Sequence, residues 1–179
     1  MKPTTDSLVE RLRSTIRDVP DFPKAGIVFK DISPVLADPA LFRETTDALA
    51  AAFERDRVTH VVAIESRGFI LGGPVAQRLG AGLVPVRKPG KLPWKTRRVE
   101  YALEYGKDAL EMHLDGLPAG ARALVVDDVL ATGGTAAAAG SLAEQVGGTV
   151  VGYAFLMELG FLAGRNRLGA NRVTTLVEY

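Results

Sequence analysis

The chain has 179 residues, of which 47% are hydrophobic, and this is enough to bury the core of one ordinary domain. Its 22 basic and 21 acidic residues leave a net charge of +1, which excludes a global field for binding nucleic acid or an anionic membrane. The lack of cysteine excludes disulfides, thiolate metal sites and a cysteine nucleophile, and no apolar run approaches the roughly 18 residues that span a bilayer. We therefore expect a single cytoplasmic domain over residues 1–179 that has neither nucleic acid nor membrane as a partner.

The first part of the chain predicts two helices separated by an irregular segment. A Ser-x-x-Glu capping box begins at Ser7, and apolar residues then recur every four positions from Leu8 to Ile16, which indicates a helix that ends before Pro20. Residues 21–38 are rich in proline and glycine, so we expect an irregular segment there. Helical spacing returns over residues 39–55.

A strand, loop and helix follow in close succession. The β-branched run at residues 58–64 predicts a buried strand, residues 65–68 a loop, and residues 69–79 a helix that stops at Gly80. Residues 83–87 predict another short strand.

The next segment is basic and lacks a periodic apolar face. Residues 88–98 combine proline, glycine and several cations, which favours an exposed, mobile loop. Residues 101–105 and 109–114 flank Gly-Lys-Asp at 106–108 and predict a hairpin at the base of that loop.

A second strand, loop and helix unit lies near the end of the chain. We expect a strand at residues 123–126, a loop at 127–134, a helix at 135–146 and a further strand at 149–155. Strand, crossover helix and strand in this order predict an α/β fold with a central, mostly parallel sheet flanked by helices.

The loop of the second unit carries the most informative chemistry. Its strand delivers Asp127 and Asp128 to the carboxyl edge of the sheet, where open α/β folds bind ligands. The two glycines that follow permit a tight turn, so that backbone amides at a helix N-terminus can surround a phosphate. Adjacent acids would repel a polyphosphate, so the pattern favours a monophosphate beside a sugar; a glycine-rich turn with capping threonines is the alternative. The expected phosphate ligands are Ala131, Thr132, Gly133, Gly134 and Thr135.

This loop resembles the motif that binds 5-phospho-α-D-ribose 1-diphosphate (PRPP) in the type I phosphoribosyltransferases, and the rest of the chain is similar to the adenine-specific members of that family. The motif alone indicates only the superfamily, whereas two further stretches, at 20–34 and 103–106, point to adenine. The matching stretches are Pro20–Pro34, Glu65–Phe69, Val86–Pro93, Leu103–Gly106 and Ala123–Thr135.

The resemblance implies the type I phosphoribosyltransferase fold, with a small hood and base-binding segment in residues 1–38 and a flexible catalytic loop and hairpin in residues 88–105. It also implies a homodimer that makes AMP and pyrophosphate from adenine and PRPP, by displacement with inversion at C1 of the ribose. Asp127 and Asp128 are then the ligands of the ribose hydroxyls.

A basic cluster follows two of the predicted strands. Arg67 comes after the first strand, and Arg87, Lys88 and Lys91 follow the next; a leaving pyrophosphate needs such a cluster because charge builds on it. The resemblance assigns Arg67, Lys88 and Lys91 to pyrophosphate, with Arg67 also catalytic, and implies that Arg87 reaches a neighbouring subunit's site. A solvated basic loop is the alternative, and we favour it for Arg97 and Arg98. The resemblance also implies a cis peptide bond ahead of Ser66.

Glu104 lies between Leu103 and Tyr105, and the sequence alone indicates an ordinary exposed glutamate on a hairpin. The resemblance implies instead that Glu104 is the acid that protonates N7 of the base.

Val28, Phe29 and Lys30 look like ordinary strand and packing residues. The resemblance implies that Phe29 stacks on adenine, that the Val28 carbonyl accepts its amino group and that the Lys30 amide meets a ring nitrogen. Val129 would close the other face of the base. Two positions depart from the family: Lys30 replaces the usual arginine, and Glu65 stands where many relatives have aspartate.

Neither histidine, His60 or His113, has an acid at metal-ligand spacing, so we expect no metal site in the protein. The resemblance implies that Mg²⁺ arrives with PRPP, held by substrate oxygens and water. Two alternatives stay open. A hypoxanthine and guanine enzyme would share the PRPP motif, and a non-catalytic PRPP sensor would share the fold but carry a DNA-binding domain.

Overall fold

The computed structural model describes residues 5–103 and 106–179. Its internal contacts divide the chain into two units, one up to Ala48 and one from Leu49. One helix, Pro39–Ala51, crosses this boundary and confirms the helical spacing of the segment 39–55 as far as Ala51, after which a short 3₁₀ helix, Glu54–Asp56, follows. The described residues contain no helix that is long and apolar enough to cross a membrane.

The first unit contains a hairpin between short helices. Its elements are α1 (Thr5–Thr15), β1 (Arg17–Pro20), β2 (Val28–Asp31), α2 (Ser33–Ala37) and the start of α3 (Pro39–Ala51).

Two expectations for this unit were wrong. Helix α1 already includes Thr5, so Ser7 is not its N-cap. The segment 21–38, expected to be irregular, contains β2 and α2, because β2 pairs antiparallel with β1 from Arg17 opposite Asp31 to Pro20 opposite Val28. Pairing with the preceding strand thus overrides the local proline and glycine content of β2 and its surroundings.

The second unit is built on a five-stranded sheet in which every neighbouring pair is parallel, with strand order β4-β3-β7-β8-β9. Its elements are β3 (His60–Ile64), α4 (Arg67–Leu79), β4 (Gly82–Val86), β5 (Thr96–Leu103), β6 (Gly106–His113), β7 (Arg122–Leu130), α5 (Gly134–Gln145), β8 (Thr149–Glu158) and β9 (Val173–Glu178).

Helices cover both faces of this sheet. A side chain at Gly72 of α4 would collide with Ala63 of β3, whereas Val62 and Ile64 of the same strand pack in a core with Leu142 of α5. Alternate residues of a strand point to opposite faces, so α4 and α5 lie on opposite sides. This confirms the predicted α/β fold, and α4 ends at Gly80, in the left-handed conformation, as expected.

The loop predicted at 127–134 is shorter than expected. Strand β7 continues through the acidic pair and pairs with β8, with Asp127 opposite Phe155 and Leu130 opposite Glu158. Only residues 131–133 lie between β7 and α5. The longer partner strand β8 extends the hydrogen-bonded ladder past the point at which the apolar run ends.

The predicted basic loop and hairpin also differ from the observed ones. Strand β5 begins at Thr96, inside the expected loop, and the expected turn at 106–108 belongs to β6. Strand β5 ends at Leu103, opposite Gly106, and residues 104–105 lie outside the described residues. Leu110 and Met112 explain this register, because both are buried and a slip by one residue would turn them outward.

Candidate active site

A cavity of about 450 Å³ opens at the carboxyl edge of the sheet, where β3 and β7 end side by side. This is the position at which open parallel sheets bind ligands. Its walls come from residues 65–67, Lys88, Tyr101, Asp108, Leu110, residues 127–133, Thr135 and Ala136.

The loop at 131–133 forms one side of the cavity and leads into α5. Gly133 is the N-cap of that helix, with φ of 80° and ψ of −5°, a left-handed conformation that favours glycine. The first amides of a helix have no partner within it, and the helix dipole places partial positive charge there. The structure brings Ala131, Thr132, Gly133 and Thr135 to the cavity wall, while Gly134 is the first residue of α5. The arrangement suits an anion such as a phosphate.

The acidic pair lies at the floor of the cavity. The carboxylate of Asp128 is buried and accepts a hydrogen bond from Arg67 Nε at 2.5 Å. Asp127 Oδ1 accepts the backbone N–H of Asp128 at 2.9 Å. Burial, reinforced by the charge of Asp128, raises the pKa of Asp127 well above its ordinary value.

A glycine permits this close arrangement. A side chain at Gly68 would lie 2.8 Å from the Val126 carbonyl oxygen and 2.9 Å from Asp127 Oδ1. The start of α4 can therefore approach the end of β7 only because residue 68 has no Cβ. This contact brings Arg67 beside the acidic pair.

The cations after β4 gather around Glu65. Its carboxylate accepts hydrogen bonds from Lys91 Nζ at 2.5 Å, from the Lys88 amide at 3.0 Å and from the Arg87 guanidinium at 3.3 and 3.4 Å. Partial burial opposes ionisation, but these donors outweigh it and lower the pKa of Glu65 to about 2. Sequence reasoning identified the cations but missed the acid that positions them. The Glu65–Ser66 peptide bond is cis.

A second hydrogen-bond network connects the hairpin of β5 and β6 to Lys88, which follows β4, and to Thr135 in the first turn of α5. Lys88 Nζ pairs with Asp108, which also accepts a hydrogen bond from the Tyr101 hydroxyl at 3.3 Å. Thr135 Oγ1 donates to the Tyr101 oxygen at 3.4 Å. The hydrogen bond between Lys88 and Asp108 raises the pKa of the lysine and lowers that of the acid, and burial raises the pKa of Tyr101.

Sequence reasoning missed Tyr101 and Asp108, which line the cavity. They are directly opposite each other on β5 and β6, so the correct hairpin register would have revealed them as a pair.

The remaining predicted residues divide into four groups. Val129 lines the cavity, whereas Arg87 and Lys91 contact Glu65. Glu104 lies outside the described residues. Three candidates for the base pocket belong to the first unit, which is described by itself: Val28, Phe29 and Lys30.

Within the first unit, the base-pocket candidates lie on the exposed hairpin. The Val28 side chain is about half exposed, at 51%. The ring of Phe29 meets that of Phe22 edge to face, with centroids 5.2 Å apart. Lys30 Nζ donates to Asp18 at 2.6 Å.

Comparison with known proteins decides the family. The profile described as a phosphoribosyl transferase domain matches residues 31–175. Adenine phosphoribosyltransferase from Anaeromyxobacter sp. (strain Fw109-5) is 59% identical over 171 residues, which is 96% of this chain and 97% of the relative. This chain belongs to the adenine phosphoribosyltransferase family. It is therefore a transferase, as the resemblance in its sequence predicted.

Solved structures of adenine phosphoribosyltransferases have the same fold. The enzyme from Rhodothermus marinus DSM 4252 is 54% identical, with a TM-score of 0.93 over 97% of this chain and 99% of that chain. The enzyme from Saccharomyces cerevisiae is 42% identical, with a TM-score of 0.91 over 96% and 99%. That yeast structure is a complex with adenine and D-2,5-dideoxy-2,5-imino-altritol 1,6-bisphosphate.

Proposed function

We propose that this protein is a purine salvage enzyme that transfers the 5-phosphoribosyl group of PRPP to adenine, giving AMP and pyrophosphate. The observation that carries the proposal is the meeting, in one cavity, of a helix N-terminus, an acidic pair and the cations Arg67 and Lys88. These are the three kinds of group that a phosphorylated sugar with a pyrophosphate substituent requires. The choice of adenine as the base is supported by the similar enzymes, which are adenine phosphoribosyltransferases.

PRPP lies along the cavity with its 5-phosphate on residues 131–135 and its pyrophosphate toward Arg67, Lys88 and Lys91. Asp127 and Asp128 accept hydrogen bonds from the ribose hydroxyls. The proposal agrees with the charge distribution, because each negative end of the substrate meets amides or cations and the neutral hydroxyls meet carboxylates.

In the reaction, the bond between C1 and the pyrophosphate oxygen breaks, and its electron pair leaves with pyrophosphate. Charge on that oxygen is stabilised by Arg67, Lys88 and Lys91 as it develops. The ribose becomes transiently similar to an oxocarbenium ion, and the acidic pair lies beneath it. The carboxylates offer negative charge to the developing cation and so lower the energy of the transition state.

Adenine attacks through N9 from the opposite face, which inverts C1. The proton on N9 is lost to water before the site closes, and Glu104 donates a proton to N7, so that the N9 lone pair forms the new bond; the N7 proton returns to Glu104 as AMP forms. Phe29 stacks on the ring, with the Val28 carbonyl and the Lys30 amide at its edge. The loop from Lys88 closes over the site and excludes water, which would otherwise hydrolyse PRPP.

Magnesium is proposed to enter with PRPP. Of the four acids among the described residues that line the cavity, Glu65, Asp108 and Asp128 each already pair with a cation. This donor set fits a hydrated cation held by substrate oxygens better than a protein cage, because Mg²⁺ keeps much of its water. When bound, the cation neutralises part of the pyrophosphate charge.

We further propose that the protein acts as a cytoplasmic homodimer in which Arg87 reaches the partner's site. A sedimentation mass twice that of the chain, together with rescue of an inactive Arg87→Ala variant by mixing it with an inactive Asp128→Asn variant, would support this. A fully active monomer would contradict it.

The proposed function is tested by offering PRPP and Mg²⁺ with adenine, hypoxanthine, guanine or orotate separately, and by separating the products chromatographically. The expected result is nucleotide from adenine alone. A preference for hypoxanthine or guanine would retain the PRPP chemistry but overturn the proposed base pocket. PRPP binding without nucleotide formation from any base would instead favour a non-catalytic sensor.

A further inference from the structure

The loop at 131–133 is supported from outside the cavity by the segment that joins β8 to β9. A Cβ on Gly133 would lie 2.2 Å from the carbonyl oxygen of Gly164. A Cβ on Gly164 would lie 2.1 Å from the carbonyl oxygen of Ala131 and 3.0 Å from the Gly133 nitrogen. The backbones at Gly133 and Gly164 are therefore in contact, and neither residue has room for a side chain. The atoms that a Cβ would meet belong to the backbone, which cannot move aside as the end of a flexible side chain can.

This joining segment is itself held firmly at both ends. The Leu159 amide donates to the Leu130 carbonyl at 2.9 Å, at the last residue of β7, and Leu168 is 2% exposed within the core. Gly164 is buried between these anchors. The position of Gly164 is thus fixed relative to the strand from which the loop begins.

An ion pair with a buried glutamate fixes Arg165, the residue next to Gly164. The Arg165 guanidinium donates from Nε to both oxygens of Glu158, at 2.9 and 2.8 Å, and the Glu158 side chain is only 4% exposed. It also donates to the Val173 carbonyl at 3.1 Å and to Thr175 Oγ1 at 3.0 Å. Arg165 therefore links the end of β8 to β9. Because Gly164 is its neighbour in the chain, the position of Gly164 is restrained as well.

We propose that Gly164, held by the Arg165–Glu158 pair, is a positioning residue that sets the geometry of the 131–133 loop and thereby the affinity for the 5-phosphate of the substrate. The inference rests on the proposed function. Among the described residues that line the cavity, none comes from the joining segment, so Gly164 acts through the loop and not by contact. Amides that must converge on one anion lose affinity when the loop moves by a fraction of an ångström.

The test is the binding of two anions that occupy different parts of the site. Ribose 5-phosphate depends on the 131–133 loop, whereas pyrophosphate depends on the cations at the other end of the cavity. Dissociation constants for both are measured by calorimetry on the wild-type chain and on Gly164→Ala. We expect Gly164→Ala to raise the dissociation constant of ribose 5-phosphate at least about tenfold, which corresponds to the loss of one hydrogen bond to a charged group. The dissociation constant of pyrophosphate should stay within about twofold of the wild-type value.

The matched control is Gly73→Ala, because a Cβ at Gly73 meets no atom within 4 Å. It should bind both anions as the wild type does. Steady-state kinetics add a second readout: Gly164→Ala should raise the KM for PRPP while the KM for adenine stays unchanged.

A second variant covers the case in which Gly164→Ala does not fold. Glu158→Gln/Arg165→Met removes both charges together, so that no buried carboxylate is left unpaired. It should weaken ribose 5-phosphate selectively, whereas Arg167→Met, an exposed arginine in the same segment, should not.

Equal losses for the two anions, or unchanged ribose 5-phosphate binding in a folded variant, would overturn the inference. If the wild-type chain binds neither ribose 5-phosphate nor PRPP, the proposed function fails instead, and the two failures are therefore distinguishable.

Discussion

Arg67 Nε lies 2.5 Å from Asp128 Oδ2, which joins the residue that follows β3 to the end of β7 at the floor of the cavity. The aspartate is almost fully buried, at 3% exposure, whereas the arginine is 39% exposed and faces the cavity. One ion pair therefore both neutralises a buried acid and holds a cation toward the expected position of pyrophosphate.

The coupling in this pair is measurable with a double-mutant cycle of Arg67→Gln and Asp128→Asn, followed by thermal unfolding. We expect a coupling free energy of about 1 kcal/mol or more, because either single change leaves a charge without its partner at a partly desolvated site. Solvent at the exposed arginine keeps the value below that of a fully buried pair.

The matched control for this cycle is the surface pair of Arg78 and Glu54, at 2.8 Å with both side chains about half exposed. Its coupling should be no more than about 0.5 kcal/mol. Equal couplings in the two pairs would show that burial of Asp128 does not strengthen its contact with Arg67.

Glu65 should stabilise the folded chain in a pH-dependent way. Its folded pKa of about 2 is below its ordinary value of 4.5, so the stabilisation is fully present above the ordinary value and is lost as the pH falls toward 2. Glu65→Gln should therefore be less stable than the wild type at about pH 6, and the difference should shrink between about pH 5 and pH 3. Urea unfolding at several pH values measures it, and a difference that stays constant or grows in acid would contradict the prediction.

In the hairpin network, loss of the Tyr101 hydroxyl should affect the KM for PRPP less than loss of the Asp108 charge. The hydrogen bonds of Tyr101, at 3.3 and 3.4 Å, are long and therefore weak. We expect Tyr101→Phe to raise the KM for PRPP by about threefold at most, and Asp108→Asn, which releases Lys88, to raise it by about tenfold or more. Steady-state kinetics at saturating adenine compare them, and the reverse order would mean that the hydroxyl and not the ion pair holds Lys88.

If Glu104 is the general acid, its removal should lower turnover and leave substrate binding almost unchanged. Glu104→Ala should lower kcat by at least about a hundredfold, the usual contribution of a general acid, with PRPP affinity nearly unchanged. Glu100→Ala, which removes an exposed acid of β5, serves as the control and should leave both quantities near wild type. Comparable losses of turnover and PRPP affinity in Glu104→Ala would reject the role.

The sequence predicted those parts of the fold that depend on local pattern. The apolar runs of β3 and β7, the glycine stop at Gly80 and the acidic pair before a glycine turn each carry their signal within a few neighbouring residues. Because the acidic pair ends a buried strand, its position at the sheet edge followed from chain order alone.

The residues that sequence reasoning missed depend on partners far along the chain. Asp108 contacts Lys88 only because the hairpin register differs from the one that Gly-Lys-Asp suggested, and Leu110 and Met112 decide that register by burial. Gly164 is an ordinary glycine in sequence, and its closeness to the 131–133 loop arises from the way β8 and β9 are connected. Such contacts are set by tertiary packing, which local propensity does not encode.

The central claim is that AMP and pyrophosphate form together from PRPP and adenine. The most direct measurement is to quantify both products over time in one reaction containing PRPP, Mg²⁺ and adenine, and to repeat it without adenine. We expect equal amounts of AMP and pyrophosphate, with almost no pyrophosphate when adenine is omitted. Pyrophosphate released at the same rate without adenine, or no AMP when adenine is present, would contradict it.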